Sequence, residues 1–177
     1  FPNSKIYSLE PMPSLYNITF KKIQNFNNIH LFNLAFSHTN GRMSLNLAEN
    51  QNQPWGSSSL LKPKLHLEIH PGITFNSKES VETIKLDSFL SMNNIESVDL
   101  LWLDLQGVEP DVLMASNQLQ KIKYIYSEVS VLENYENQIL YEDFKKFMID
   151  NGYKVHFEDI RWEDGGNVLF KNRQFKR

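Results

Sequence analysis

Val98-Asp99-Leu100-Leu101-Trp102-Leu103-Asp104-Leu105-Gln106-Gly107-Val108-Glu109 decides the fold of this chain. Leu100 to Asp104 reads as a buried strand, apolar and closed by a carboxylate. Gly107 permits a tight turn, because glycine takes positive φ without steric cost. Glu109-Pro110 then opens a helix. In open α/β sheets, ligands sit just beyond the carboxyl ends of the strands. The segment therefore predicts an α/β ligand site with Asp104 and Gln106 at its rim. A carboxylate closing a core strand is partly desolvated and needs a partner, which a ligand supplies. Capping of the following helix is the other use open to Asp104 and Gln106.

Downstream, Ile122 to Val129 reads as a second buried strand, ending near Glu128. Two carboxylates on neighbouring strand ends would share the deprotonation of a substrate hydroxyl. A surface acid paired with a lysine fits Glu128 equally. Leu140 to Ile149 is an amphipathic helix stopped by Asn151-Gly152. Tyr153 to Phe157 and Asn167 to Phe170 read as a closing antiparallel pair.

Upstream, Lys5 to Leu9 is a strand ended by Glu10-Pro11, since the residue before proline is pushed away from helix. An acid at such a strand end accepts hydrogen bonds from ribose hydroxyls in dinucleotide and related folds, and an exposed turn residue would look the same. A helix follows from about Ser14 to Gln24, then a strand from Ile29 to Phe36 interrupted by Asn33. Gly41 to Leu47 alternates apolar and polar residues, as a half-buried strand does. Asn50 to Lys64 is turn-rich, Leu65 to Ile69 and Val81 to Leu86 are strands, and Asp87 caps a short helix, Ser88 to Met92. Strands alternating with helices specify an α/β layered fold, and the late strand pair makes its sheet mixed.

The 177 residues suit a single domain spanning 1–177. A net charge of −3 gives no electrostatic case for nucleic acid or an anionic membrane. The basic residues Lys171, Arg173, Lys176 and Arg177 read as a short exposed tail. The chain has no cysteine, which excludes disulfides and thiolate chemistry. No apolar run approaches the roughly 20 residues that span a bilayer, and the cytoplasm is the expected compartment. His66, Glu68 and His70 share one face of the expected strand. That spacing can chelate zinc only with a further ligand, and a polar strand face explains it without one, so no metal is expected. Ser57-Ser58-Ser59 lacks the frame of a hydrolase elbow, and neither phosphate-binding glycine motif is present.

Several pieces in fixed order carry a family resemblance. They are Ile6-Tyr7-Ser8-Leu9-Glu10-Pro11, Asn33-Leu34-Ala35, Ser58-Ser59-Leu60, Ile84 to Phe89, and Asp99 to Glu109. Ser127-Glu128-Val129, Tyr135-Glu136-Asn137-Gln138, Asn151-Gly152-Tyr153 and Gly166 to Phe170 complete the set. Together they resemble the FkbM-type S-adenosylmethionine-dependent methyltransferases over nearly the whole chain. The resemblance implies a three-layer, Rossmann-like class I methyltransferase sheet that moves a methyl group to a hydroxyl of a sugar or secondary-metabolite acceptor. S-adenosyl-L-methionine would be the cofactor, with Glu10 on its ribose and Asn33 and Ala35 near its adenine. Asp104 would face the methyl-transfer centre with Gln106 and would be the more credible general base of the two. Glutamine stands at 106 where the family often has glutamate, so an acceptor is kept and a charge lost. Glu109 would open and cap the next helix, where negative charge suits the helix dipole.

Family members also carry a first strand and a glycine-rich loop before the Glu-Pro strand, and this chain starts after both. The expectation is a methyltransferase parent and no activity for the segment alone. Filling the sheet with a strand from another copy would give a homo-oligomer. The competing expectation is a non-catalytic binding or assembly module that keeps the fold. A nicotinamide-dependent oxidoreductase has only a strand-end acid in its favour. Trp55, Tyr135 and Trp162 could stack on a sugar ring or pack internally.

Overall fold

Ile6–Leu9 (β1) is followed by the helix Pro13–Ile23 (α1) and the strand Ile29–Phe32 (β2) in the computed structural model, which describes residues 2–175. Pro13 enters α1 in its first turn, where a missing N–H costs nothing. β1 and β2 pair in parallel, Ile6 against Ile29 through Leu9 against Phe32. Lys176 and Arg177 of the basic tail lie outside the described residues.

The expected strand Ile29 to Phe36 is two strands in different sheets. Asn33 turns the chain after β2, its amide donating to the carbonyls of Glu10 (2.8 Å) and Pro11 (2.9 Å). Ala35–Phe36 (β3) then departs from β2. Gly41–Asn50 (β4), Gln53–Pro54 (β5), the helix His66–Ile69 (α2) and Thr74–Ile84 (β6) follow. These strands form a second sheet in the order β3-β6-β4-β5, built on the antiparallel β4–β6 arm. The expected strands at 41–47 and 81–86 are the paired ends of that longer arm, and Leu86 belongs to the next helix.

The expected strand Leu65 to Ile69 is helical instead. Three backbone N–H groups, those of Lys64, Leu65 and His66, are taken by the carbonyls of Glu133 and Asn134, which makes a turn rather than a sheet edge. Ile69 and His70 then bond back to Leu65 (3.0 Å) and His66 (2.9 Å). A short alternating run does not separate these outcomes. The one-face chelate of His66, Glu68 and His70 disappears with the strand: the two imidazoles lie one turn apart with their rings tilted by 49°, while Glu68 is exposed to solvent.

The third sheet positions the site. Leu86–Met92 (α3), Val98–Leu103 (β7), Glu109–Met114 (α4), Ile122–Ser130 (β8), Tyr141–Asp150 (α5), Tyr153–Asp159 (β9) and Gly165–Asn172 (β10) complete the chain. The strand order is β7-β8-β10-β9, with β7 and β8 parallel and β10 antiparallel to both neighbours. The expected closing pair is present, and the fold is mixed α/β. Asp87 does not cap α3; its carboxylate accepts Ser116 Oγ and the Asn117 N–H, tying α3 to the end of α4.

One face of this sheet makes the core. Leu103, Ile125, Val168 and Phe170 meet Phe89, Val112 and Phe144 there, and Tyr7, Leu9 and Phe32 pack against the same cluster. Each fully buried large apolar side chain contributes about 1.5–3 kcal/mol. The other face is open. Leu100 is 50% exposed and Trp102 68% exposed, so the expected two-sided burial of Leu100 to Asp104 does not hold. β7 is an edge strand, and successive side chains alternate faces. Among the described residues, no helix is long and apolar enough to cross a membrane.

A candidate active site between two hollows

The parallel pairing of β7 and β8 sets Leu103 opposite Ser127, so Asp104, just past the end of β7, lies beside Glu128, which is still within β8 and paired with Asn167 of β10. Gln106 joins them. Its Nε2 donates to Asp104 Oδ1 and to Glu128 Oε2, both at 2.8 Å. Its Oε1 lies 3.1 Å from the Tyr135 hydroxyl, which also donates to the Ser57 carbonyl at 2.9 Å. The backbone carbonyl of Gln106 accepts Ser59 Oγ at 2.6 Å.

That arrangement needs an unusual backbone. Gln106 sits at φ +56°, a region that costs a side-chain-bearing residue roughly 1–2 kcal/mol. Gly107 follows at φ +102°, and a Cβ there would lie 3.0 Å from Gln138 Nε2 and 3.1 Å from the Tyr135 ring. Glu109 locks the turn from below. Its two carboxylate oxygens accept the N–H groups of Leu105 (2.6 Å) and Gly107 (2.9 Å). It does open α4, but its carboxylate serves the preceding turn, and α4 has no side-chain cap. Neither Asp104 nor Gln106 is therefore a helix cap, and the described partner of Glu128 is Gln106 rather than a lysine.

Asp104, Glu109 and Glu128 bring carboxylate oxygens within 4.8 Å of one another. Burial pushes Glu109 up to about 7 against the pull of its own backbone N–H contacts. Burial raises Glu128 as well, reinforced by the charges of Glu109 and Asp104. Three such carboxylates are competent to ligate a divalent cation. Here, however, the Gln106 amide lies between two of them and both Glu109 oxygens are held by backbone N–H groups.

Two hollows open on either side of this cluster, and Gln106 lines both. The smaller, about 180 Å³, is bordered by Glu10, Ala35, Trp55 and Asp104. Burial raises the Glu10 carboxyl, partly offset by the Met12 N–H that one of its oxygens accepts at 2.8 Å. Asn33 does not border this hollow; it pins the backbone of Glu10 and Pro11. The larger, about 470 Å³, is bordered by Glu128, His66, Tyr135, Trp162 and Asp164.

Sequence reasoning placed Asp104, Gln106 and Glu128 at one site, and the fold brings them into contact. It missed the anchoring by Ser59 and Tyr135, whose long-range contacts leave no local pattern. Tyr135 is buried with its hydroxyl engaged, whereas Trp55 and Trp162 are each 48% exposed and line different hollows.

The carboxylates of Asp104, Glu109 and Glu128 cluster near the carboxyl edge of two parallel strands of an α/β fold, the place where such sheets bind ligands. Residues 2–155 match the family model described as the methyltransferase FkbM domain, and the chain belongs to that family. It is 33% identical over 142 residues to the 2-O-methyltransferase NoeI of Sinorhizobium fredii (strain NBRC 101917 / NGR234), an alignment covering 78% of this chain. The chain spans 58% of the length of that relative. No solved structure matches.

Proposed function

We propose that this protein is an S-adenosylmethionine-dependent O-methyltransferase of FkbM type, acting on a hydroxyl of a sugar or secondary-metabolite acceptor. The observation that carries this reading is the Gln106 amide, which ties Asp104 of the smaller hollow to Glu128 of the larger. The family match and the O-methyltransferase relative support it. The mixed α/β fold is compatible with it, although the β1–β2 pair and the β7-β8-β10-β9 sheet are separate sheets that share one core rather than one continuous sheet.

The smaller hollow fits the donor. Glu10 accepts ribose hydroxyls, Ala35 walls the adenine, and Asn33 holds Glu10 in place through the backbone of residues 10 and 11. At about 180 Å³ it encloses part of such a ligand, since drug-sized ligands fill pockets of about 300 Å³ or more. When bound, the cofactor supplies an electrophilic methyl group. Glu128 would take the proton of the acceptor hydroxyl as its oxygen receives that methyl group. Asp104 borders the donor hollow and reaches the acceptor hollow through Gln106, so it would help hold donor and acceptor in line, and such positioning alone supplies several powers of ten. A raised Glu128 is a stronger base once it has lost its own proton.

The test is calorimetric titration with S-adenosylhomocysteine. Micromolar binding, lost in Glu10→Ala, is expected. A folded chain that shows no binding overturns this reading. It would favour a second one, a binding or assembly module, for which the open face of Leu100, Trp102 and Phe157 argues.

A further inference from the structure

The larger hollow has a one-sided charge. Glu109, Glu128, Glu163 and Asp164 all line it, and among the described residues no lysine or arginine does. Glu128 already feels the like charges of Glu109, Asp104 and Asp164. An anionic ligand would face Glu163 and Asp164 with no lysine or arginine to offset them, while Glu109 and Glu128, which hold their protons near neutral pH, could release them beside it only at added cost.

The wall also holds buried polar atoms in want of partners. His66 is 4% exposed and its Nδ1 has no hydrogen bond. Asn134 is 6% exposed and its Oδ1 has none either. Asn134 is not loose, because its Nδ2 donates to Asp164 Oδ2 at 2.8 Å, an oxygen that His70 Nε2 also approaches at 3.3 Å. Buried polar groups are nearly always paired, so atoms left over beside a cavity mark where a ligand's hydrogen bonds go.

We propose that His66 and Asn134 are specificity-determining residues of the acceptor site, which takes an uncharged polyhydroxylated ring and rejects acidic ones. The inference rests on the methyltransferase reading for what that ring receives. Burial and the neighbouring His70 hold His66 down to about 4, so it stays neutral and offers one donor and one acceptor. A ring hydroxyl matches that pair, and a carboxylate matches only half of it. The exposed face of Trp162 at the same cavity gives the ring an apolar platform.

The two hollows carry separate reporters, Trp55 in the smaller and Trp162 in the larger. The full chain with Trp55→Phe and Trp102→Phe, which leaves Trp162 as the sole tryptophan, is titrated with methyl glucoside, galactoside and mannoside, and with the matching methyl uronides, following Trp162 fluorescence. At least one neutral glycoside should saturate in the millimolar range, with its uronide weaker by about tenfold or more. His66→Leu should weaken the neutral glycoside by about tenfold while leaving S-adenosylhomocysteine affinity, read at Trp55 in a Trp102→Phe, Trp162→Phe chain, unchanged. If that variant fails to fold, Asp164→Asn serves instead and should narrow the gap between glycoside and uronide. The proposal is overturned by uronides binding as well as glycosides, by no member of the panel binding, or by a folded variant that changes nothing. Loss of S-adenosylhomocysteine binding with glycoside discrimination intact would instead sink the methyltransferase reading alone.

Discussion

Gln106 and Glu128 meet through a 2.8 Å hydrogen bond in which the amide donates and the carboxylate accepts, although 22 positions separate them in the chain. The contact exists because β7 and β8 run parallel in register and because Gln106 tolerates a left-handed backbone. Substituting glutamate would remove both N–H donors and add another negative charge beside Asp104 and Glu128. Gln106→Glu should lower stability by about 1–3 kcal/mol at pH 8 and less at pH 5, where Glu128 keeps its proton. Urea denaturation at the two pH values checks this; equal losses would mean that the amide is not the bridge.

The raised carboxyls set a pH dependence of folding. Glu109 and Glu128 keep their protons in the folded state at pH values where the unfolded chain has released them near 4.5. The folded state then binds more protons, so stability falls as pH rises from that value through about 7 for Glu109. Melting temperature should drop across this window, and Glu128→Gln should flatten the drop by removing one of the two groups. A melting curve that rises with pH would contradict the raised direction.

Glu128 as proton acceptor makes a kinetic statement too. Only its ionised form takes the acceptor proton, so kcat/KM should climb with pH through its raised range and level above it. Glu128→Gln should lower kcat by about 10²- to 10⁴-fold with S-adenosylhomocysteine affinity unchanged. A wild-type rate in that variant would remove Glu128 from the chemistry.

Gly107 leaves no room for a side chain. Gly107→Ala places a Cβ against the Gln138 amide and the Tyr135 ring at a φ that alanine avoids. The expected loss is about 1–3 kcal/mol, accompanied by displacement of Tyr135 and altered Trp162 fluorescence. Unchanged denaturation would show that the turn relaxes freely.

Asn33 supplies the contrasting case, a residue beside the smaller hollow that acts through the backbone. Asn33→Ala frees the carbonyls of Glu10 and Pro11. It should weaken S-adenosylhomocysteine by about tenfold, or 1.4 kcal/mol, with little change in melting temperature. Titration of the wild-type and variant chains decides it.

The parts of this architecture that were legible in the sequence are those with short-range causes. The apolar runs ending at Leu103 and Val129, the Pro13 helix start and the Asn151-Gly152 stop all formed close to where they were expected. Asp104 and Glu128 could be paired in advance because strand ends converge in α/β sheets. What failed had long-range causes. Leu65 to Ile69 alternates like a strand, but the carbonyls of Glu133 and Asn134 capture its entry and leave a helical turn. Asp87 looks like a helix cap until Ser116 and Asn117, some thirty positions away, claim its carboxylate. The apolar residues at 100 and 102 matched a fully covered strand, and no local signal announces an open face.

Gln106 borders both hollows and is hydrogen-bonded toward each, so the two compartments are not independent. A ligand that turns this amide in one compartment changes the partner offered in the other. Such coupling is reciprocal: whatever factor the first ligand applies to the second, the second applies to the first. Order of arrival then affects rates but never the final affinity of the pair, and a single side chain sets the strength of that exchange.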